Sequence, residues 1–146
     1  ETNDGMGRYV AGRLVRELAL LGKQLTESRV LLLGLTFKED VPDCRNSRSV
    51  DVIGYLQEFG VSVLGCEPLL PECQVRESFS VEPVALSQIA DLDLVDAVMM
   101  INKHSVFSQI SLDVLGDLME KPLLFDLKNF FQRERAIEKG FRYLAL

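Results

Sequence analysis

The chain has 146 residues, 47% of them hydrophobic and 26% charged, which provides a core for one domain and excludes compositional disorder. A formal net charge of −6 argues against a nucleic-acid backbone as partner, yet leaves room for an anionic small ligand held by a few cations and backbone N–H groups. No apolar run approaches the roughly 18 residues of a membrane span, residues 1–7 carry no signal-peptide pattern, and Cys44, Cys66 and Cys73 form neither a disulfide framework nor a metal site, so a cytoplasmic protein with reduced thiols is expected.

Met6, Val10, Leu14, Leu18, Leu21 and Leu25 recur at three- and four-residue steps, which predicts a long amphipathic first helix, capped by Asn3 or Asp4 and fraying near Gly22. The apolar run 30–33 ahead of Gly34 predicts a strand buried on both faces. A polar loop with Pro42 follows, and a helix is expected from Ser47 to Gly60, with Val50, Ile53, Leu56 and Phe59 inward. Residues 61–64 read as the next strand, residues 70–83 as loop with a short strand, and residues 84–90 as helix. Further strands are expected at 97–101, 123–125 and 141–144, with helices at 112–119 and 133–139 between them. Strands alternating with helices predict an α/β fold: a Rossmann-like open, mostly parallel sheet flanked by helices and preceded by a long connecting helix. No internal repeat is visible.

In such sheets ligands bind beyond the carboxyl ends of the strands. That rule singles out the loops after residues 33, 101 and 125, and the first is the richest in chemistry. It holds Phe37 as an aromatic wall, Lys38 as a cation, and Ser47 and Ser49 at a helix start. It is neither a G-x-G-x-x-G dinucleotide turn nor a P-loop. The residues alone favour a plain surface loop in which Lys38 and Arg45 pair with Glu39, Asp40 and Asp43. His104 stands near the same strand edge, where an acid–base role competes with a structural one; without a visible partner the structural reading is preferred. Cys44 beside Arg45 reads as a plain buried or half-buried thiol rather than a reactive one.

The run Gly34, Phe37, Lys38, Asp43, Arg45, Ser47 resembles the motif G-[LF]-[TA]-F-K-x-x-x-x-D-x-R-x-[ST] that opens the C-terminal domain of the UDP-glucose/GDP-mannose dehydrogenase family. Three further segments support the resemblance. Asn3-Asp4-Gly5-Met6 is similar to the family's lead-in segment, Glu67-Pro68 stands where the family has Asp-Pro, and Asp126-Leu127-Lys128-Asn129 is similar to its D-G-R-N turn.

The resemblance implies residues 1–27 as a connecting helix from a central dimerisation domain and residues 28–146 as a UDP-sugar-binding domain. It implies an NAD-dependent oxidation of a UDP-sugar (or GDP-mannose) C6 alcohol to a uronic acid, in a homodimeric enzyme making polysaccharide precursors. Phe37, Lys38 and Lys128 would bind the nucleotide sugar, and Arg45 would reach the NAD pyrophosphate. No catalytic residue is expected in this chain, because the family's thioester-forming cysteine motif and glycine-rich NAD turn are not in it. Taken alone it should therefore be inactive. Lys128 replaces the usual Arg and cannot form a bidentate fork, and Leu127 replaces the usual Gly, which puts the turn in question. Two rival readings are a stand-alone nucleotide-sugar-binding or regulatory module and an oligomerisation domain without catalysis.

Overall fold

The apolar run after Ser28 forms strand β1 (Arg29–Leu33), and its side chains alternate between two cores. Val30 and Leu32 face one side of the sheet, Leu31 and Leu33 the other, all fully buried. A strand apolar on both faces has to lie inside a sheet covered by helices. The computed structural model describes residues 2–45 and 47–146, with side chains from residue 5 onward.

Five more strands join β1: β2 (Ser62–Cys66), β3 (Glu82–Pro83), β4 (Ala97–Met100), β5 (Leu123–Asp126) and β6 (Arg142–Ala145). Every pairing is parallel and the order is β3-β2-β1-β4-β5-β6. The chain starts at the centre, winds outward through β2 and β3, then returns to wind the other way. The crevice between β1 and β4 is therefore the topological switch point, where open α/β sheets bind ligands.

Helices α1 (Thr2–Leu20), α2 (Ser49–Glu58) and α3 (Glu72–Phe79) cover one face through Val10, Leu14, Leu18, Ile53, Leu56 and Phe79. The short helices α4 (Leu112–Gly116) and α5 (Arg133–Glu138) cover the other, with the 3₁₀ turns Leu86–Asp91 and Ser105–Gln109. The apolar stripe of α1 is thus buried in this chain's own core. Truncating a leucine such as Leu14, which has no exposed surface, costs about 2–5 kcal/mol. Where α1 crosses α2, a Cβ on Gly7 would lie 2.7 Å from that of Asp51, so the close approach needs glycine.

Several expectations are corrected. The segment 70–83 contains α3, not just loop: Pro71 sits in extended conformation as its N-cap, and only Val75 and Phe79, one turn apart, are buried. Helix α2 starts at Ser49 rather than Ser47, and Val50 and Phe59 face solvent while Val52 takes the inward place. The helix expected at 84–90 is a 3₁₀ turn, Leu86–Asp91, and the one at 112–119 closes early at Gly116. Helix α1 ends at Leu20, and Leu25 belongs to a separate 3₁₀ turn, Leu25–Glu27. The expected cap from Asn3 or Asp4, and their part of the lead-in segment, lie outside the described side chains.

Candidate functional site

Chain direction changes at Gly34, where β1 ends. Its φ is +82°, and an added Cβ would lie 2.1 Å from the backbone oxygen of Asn102 at the end of β4, so only glycine fits. The loop that follows is gripped from both sides. On one side Ser47 Oγ and Ser49 Oγ donate to the Leu35 carbonyl, the latter at 2.7 Å, and Asn102 Nδ2 donates to the Thr36 carbonyl at 2.8 Å. On the other, Glu67 Oε1 accepts from the Leu35 and Thr36 N–H groups at 2.7 and 3.0 Å. Ser47 and Ser49, expected to offer a helix end to a ligand, hold the loop backbone instead.

Held this way, the loop turns Phe37 and Lys38 outward; Phe37 is 50% exposed. They border a cavity of about 320 Å³ over the switch point, together with Arg48, Asn102 and the Leu127-Lys128 turn. Among the described residues its charged lining side chains are Lys38, Arg48 and Lys128, with no acidic side chain. Such a concentration of positive charge in a chain of net charge −6 favours an anionic ligand, and the apolar surfaces of Met6, Val10 and Phe37 leave room for a ring system. Lys38 makes no ion pair among the described residues.

A larger cleft of about 580 Å³ lies beside β2 and β3, but its charged lining residues are Glu67 and Glu72, the wrong sign for an anion. Among the described residues no group of three His, Cys, Asp or Glu could hold a metal ion. No helix of the described residues is long and apolar enough to cross a membrane.

The turn that carries Lys128 is built on Asp126, which is fully buried. Its carboxylate accepts from the N–H groups of Lys128, Phe130 and Phe131, and from the Tyr143 hydroxyl at 2.8 Å. Burial and this bond to Asp126 push the Tyr143 phenol well above its ordinary range. The left-handed residue of the turn is Asn129, with φ 54°, and not Leu127, so leucine replaces the family's glycine without strain.

Arg45 lies apart from the cavity lining. Its side chain is 82% exposed and forms a two-pronged bond with Asp43, Nε and one terminal nitrogen each 3.0 Å from an oxygen. The Arg45 guanidinium holds the Asp43 carboxyl down at about 2. Of the four residues singled out in the sequence, the cavity therefore brings together Phe37, Lys38 and Lys128 and leaves Arg45 outside. It adds Arg48 and Asn102, which the sequence reading passed over. Arg48 was open to detection, since it sits between the two serines at the helix start.

In this strand order a dinucleotide-binding domain carries an acid at the end of its second strand to hold the ribose hydroxyls. Glu67 occupies that place but is turned inward, 4% exposed, with both oxygens engaged by the chain itself. The end of β2 therefore offers no free acid to the ribose of a dinucleotide.

A family model described as "UDP-glucose/GDP-mannose dehydrogenase family, UDP binding domain" matches residues 31–133. The chain belongs to that family. The UDP-N-acetyl-D-glucosamine 6-dehydrogenase of Salmonella typhi is 33% identical over 135 residues, which is 92% of this chain and 31% of that protein. The UDP-glucose 6-dehydrogenase of Rhizobium meliloti (strain 1021) is 29% identical over 144 residues, 99% of this chain and 32% of the relative. The chain spans about a third of the length of these UDP-sugar dehydrogenases. Its fold is shared with the UDP-D-ManNAc dehydrogenase of Pyrococcus horikoshii, at a TM-score of 0.76 and 19% identity over 96% of this chain and 30% of that one. The resemblance read from the 34–47 motif is thus borne out at the level of family and fold.

Proposed function

We propose that this chain is the C-terminal nucleotide-sugar-capture domain of an NAD-dependent UDP-sugar 6-dehydrogenase. The observation that carries the reading is the cavity at the switch point, lined by Lys38, Arg48 and Lys128 and by no acidic side chain among the described residues, in an acidic chain. A nucleoside diphosphate sugar suits that lining: the cations take the pyrophosphate through charge-assisted bonds, and the apolar wall takes the base or sugar. In this reading Phe37, Lys38 and Lys128 are substrate-binding residues, and the relatives' names favour UDP over GDP.

NAD would supply the hydride acceptor from a domain outside residues 1–146. Arg45 would meet its pyrophosphate by exchanging Asp43 for the phosphate, since an exposed ion pair is a weak competitor. Residues 1–27 would connect to a central domain through which the whole enzyme forms a cytoplasmic homodimer, and residues 28–146 would form the binding unit. Without the hydride-accepting domain this chain alone would be inactive.

Calorimetric titration with UDP, a UDP-sugar and NAD, each in wild type and Lys38→Ala, tests the reading. UDP and the UDP-sugar should bind, and Lys38→Ala should weaken both by about 1.5–3 kcal/mol, roughly ten- to hundredfold in Kd. NAD should give no heat. Equal affinity in the variant, or tighter binding of NAD than of UDP, would sink it.

A further inference from the structure

His104 has no exposed surface and does not line the cavity, yet it is bonded to the ligand loop twice. Its Nδ1 accepts from the Asp40 N–H at 2.9 Å, so that nitrogen carries no proton. Its Nε2 then bears the hydrogen and donates to Glu67 Oε1 at 2.9 Å, with Thr36 Oγ1 at 3.1 Å. This hydrogen-bond pattern fixes the ring as the neutral Nε2–H tautomer. Protonating Nδ1 would set two donors against each other at the Asp40 amide.

Glu67 is bonded as completely. Burial pushes its carboxyl up, but bonds from His104 and from the Leu35 and Leu69 N–H groups outweigh that and leave it below its ordinary range. Among the described residues no buried side-chain polar atom lacks a partner. The pair therefore joins three strand ends: β1 through Leu35, Thr36 and Asp40, β2 through Glu67, and β4 through His104. Asp40 completes the closure: it adopts a left-handed φ of 61°, and its carboxylate accepts from the Ser105 N–H and hydroxyl at 2.8 and 3.0 Å.

What is gripped is the segment that carries Phe37 and Lys38, whose described residues between Leu33 and Ser49 form no helix or strand. Ordering a free segment costs conformational entropy at every residue, and a ligand would otherwise bear that cost on binding. We propose that Glu67 and His104 are positioning residues: without touching the ligand, they hold the 34–40 loop so that Phe37 and Lys38 stand in place before a nucleotide arrives. This rests on the nucleotide-binding reading above, and it removes His104 from acid–base chemistry.

The test compares His104→Phe and His104→Asn with wild type in this 146-residue chain, by UDP titration and by hydrogen exchange of the backbone amides. Phenylalanine keeps the stack on Phe107, whose ring centre lies 5.7 Å away, but loses the contacts to Asp40, Glu67 and Thr36. Asparagine puts an amide oxygen near the place of Nδ1 and can still accept from Asp40. His104→Phe should weaken UDP binding by about tenfold or more and speed exchange at residues 35–40, with β1 and β4 still protected. His104→Asn should recover part of both.

A His104→Phe chain that is folded, with wild-type affinity and loop exchange, overturns the proposal. So does protection lost evenly through the sheet while UDP affinity is unchanged, the pattern of a general structural role. A wild-type chain that binds no UDP overturns the nucleotide reading and, with it, the role given to the pair. Loop exchange in His104→Phe tells these two failures apart, because it responds to the pair whether or not a nucleotide binds.

Discussion

Gly34→Ala is expected to be among the most damaging single-methyl changes in the chain. Two costs add. The first is conformational: an alanine at φ +82° bears a penalty on the order of 1–2 kcal/mol. The second is steric: the new Cβ would stand 2.1, 2.9 and 3.0 Å from the O, C and N of Asn102, all backbone atoms that cannot rotate away. Relief requires moving β1 and β4 apart at the point where the Ile101 and Asn102 N–H groups both donate to the Leu33 carbonyl, at 2.9 and 3.3 Å. Weakening those bonds brings the total to about 3–5 kcal/mol, in the range of severe core mutations.

Gly22 supplies the control, since its φ of +81° is nearly the same but a Cβ there meets nothing within 4 Å. Gly22→Ala should lose only the conformational part. Urea unfolding followed by circular dichroism gives both values, with matching m-values showing that the denatured state is unchanged. If Gly34→Ala loses no more stability than Gly22→Ala, the clash at Asn102 is not real and the switch-point geometry described above is wrong.

Two predictions concern titratable groups. Glu67 lies below its ordinary value of 4.5 in the folded chain, so in acid the unfolded chain binds more protons there. Its contribution to stability is complete above that value and is lost as pH falls through the lower folded one. Glu67→Gln should flatten this part of the acid limb in unfolding midpoints measured against pH, and an unchanged slope would contradict the depression. Among the thiols, burial and then the Glu67 charge push Cys66 up to about 12. In the native chain a thiol reagent should therefore modify exposed Cys73 first, half-buried Cys44 more slowly, and Cys66 only on unfolding, as peptide mapping would show.

The sheet was largely legible because its signal is local. Apolar runs such as 97–101, bounded by polar residues, are too short for helices and read as buried strands, and their alternation with helices points to the fold class. Helix α3 was hidden because its signal is sparse: two buried positions among polar neighbours, after a proline that reads as a breaker. The site was legible only in part, for a related reason. Phe37 and Lys38 lie in one continuous motif, whereas Asn102 and His104 gain their meaning from partners 66, 37 and 64 residues away, which no local pattern encodes. Val50 and Phe59 are misread because the three-residue steps from Val50 to Phe59 compete with the neighbouring row Ser49, Val52, Ile53 and Leu56, and a shift of one residue turns the buried face by about 100°.

The Asp126 turn has a consequence for how ligand preference can change. Its carboxylate holds the backbone of residues 128, 130 and 131, while the Lys128 side chain extends away from the core as an exposed group. Anchor and probe are thus separate parts of one short segment. The chemistry presented at position 128 can be exchanged, lysine for arginine or for a neutral amide, while the socket beneath it keeps every bond. Affinity and selectivity at this rim of the cavity can then drift independently of folding.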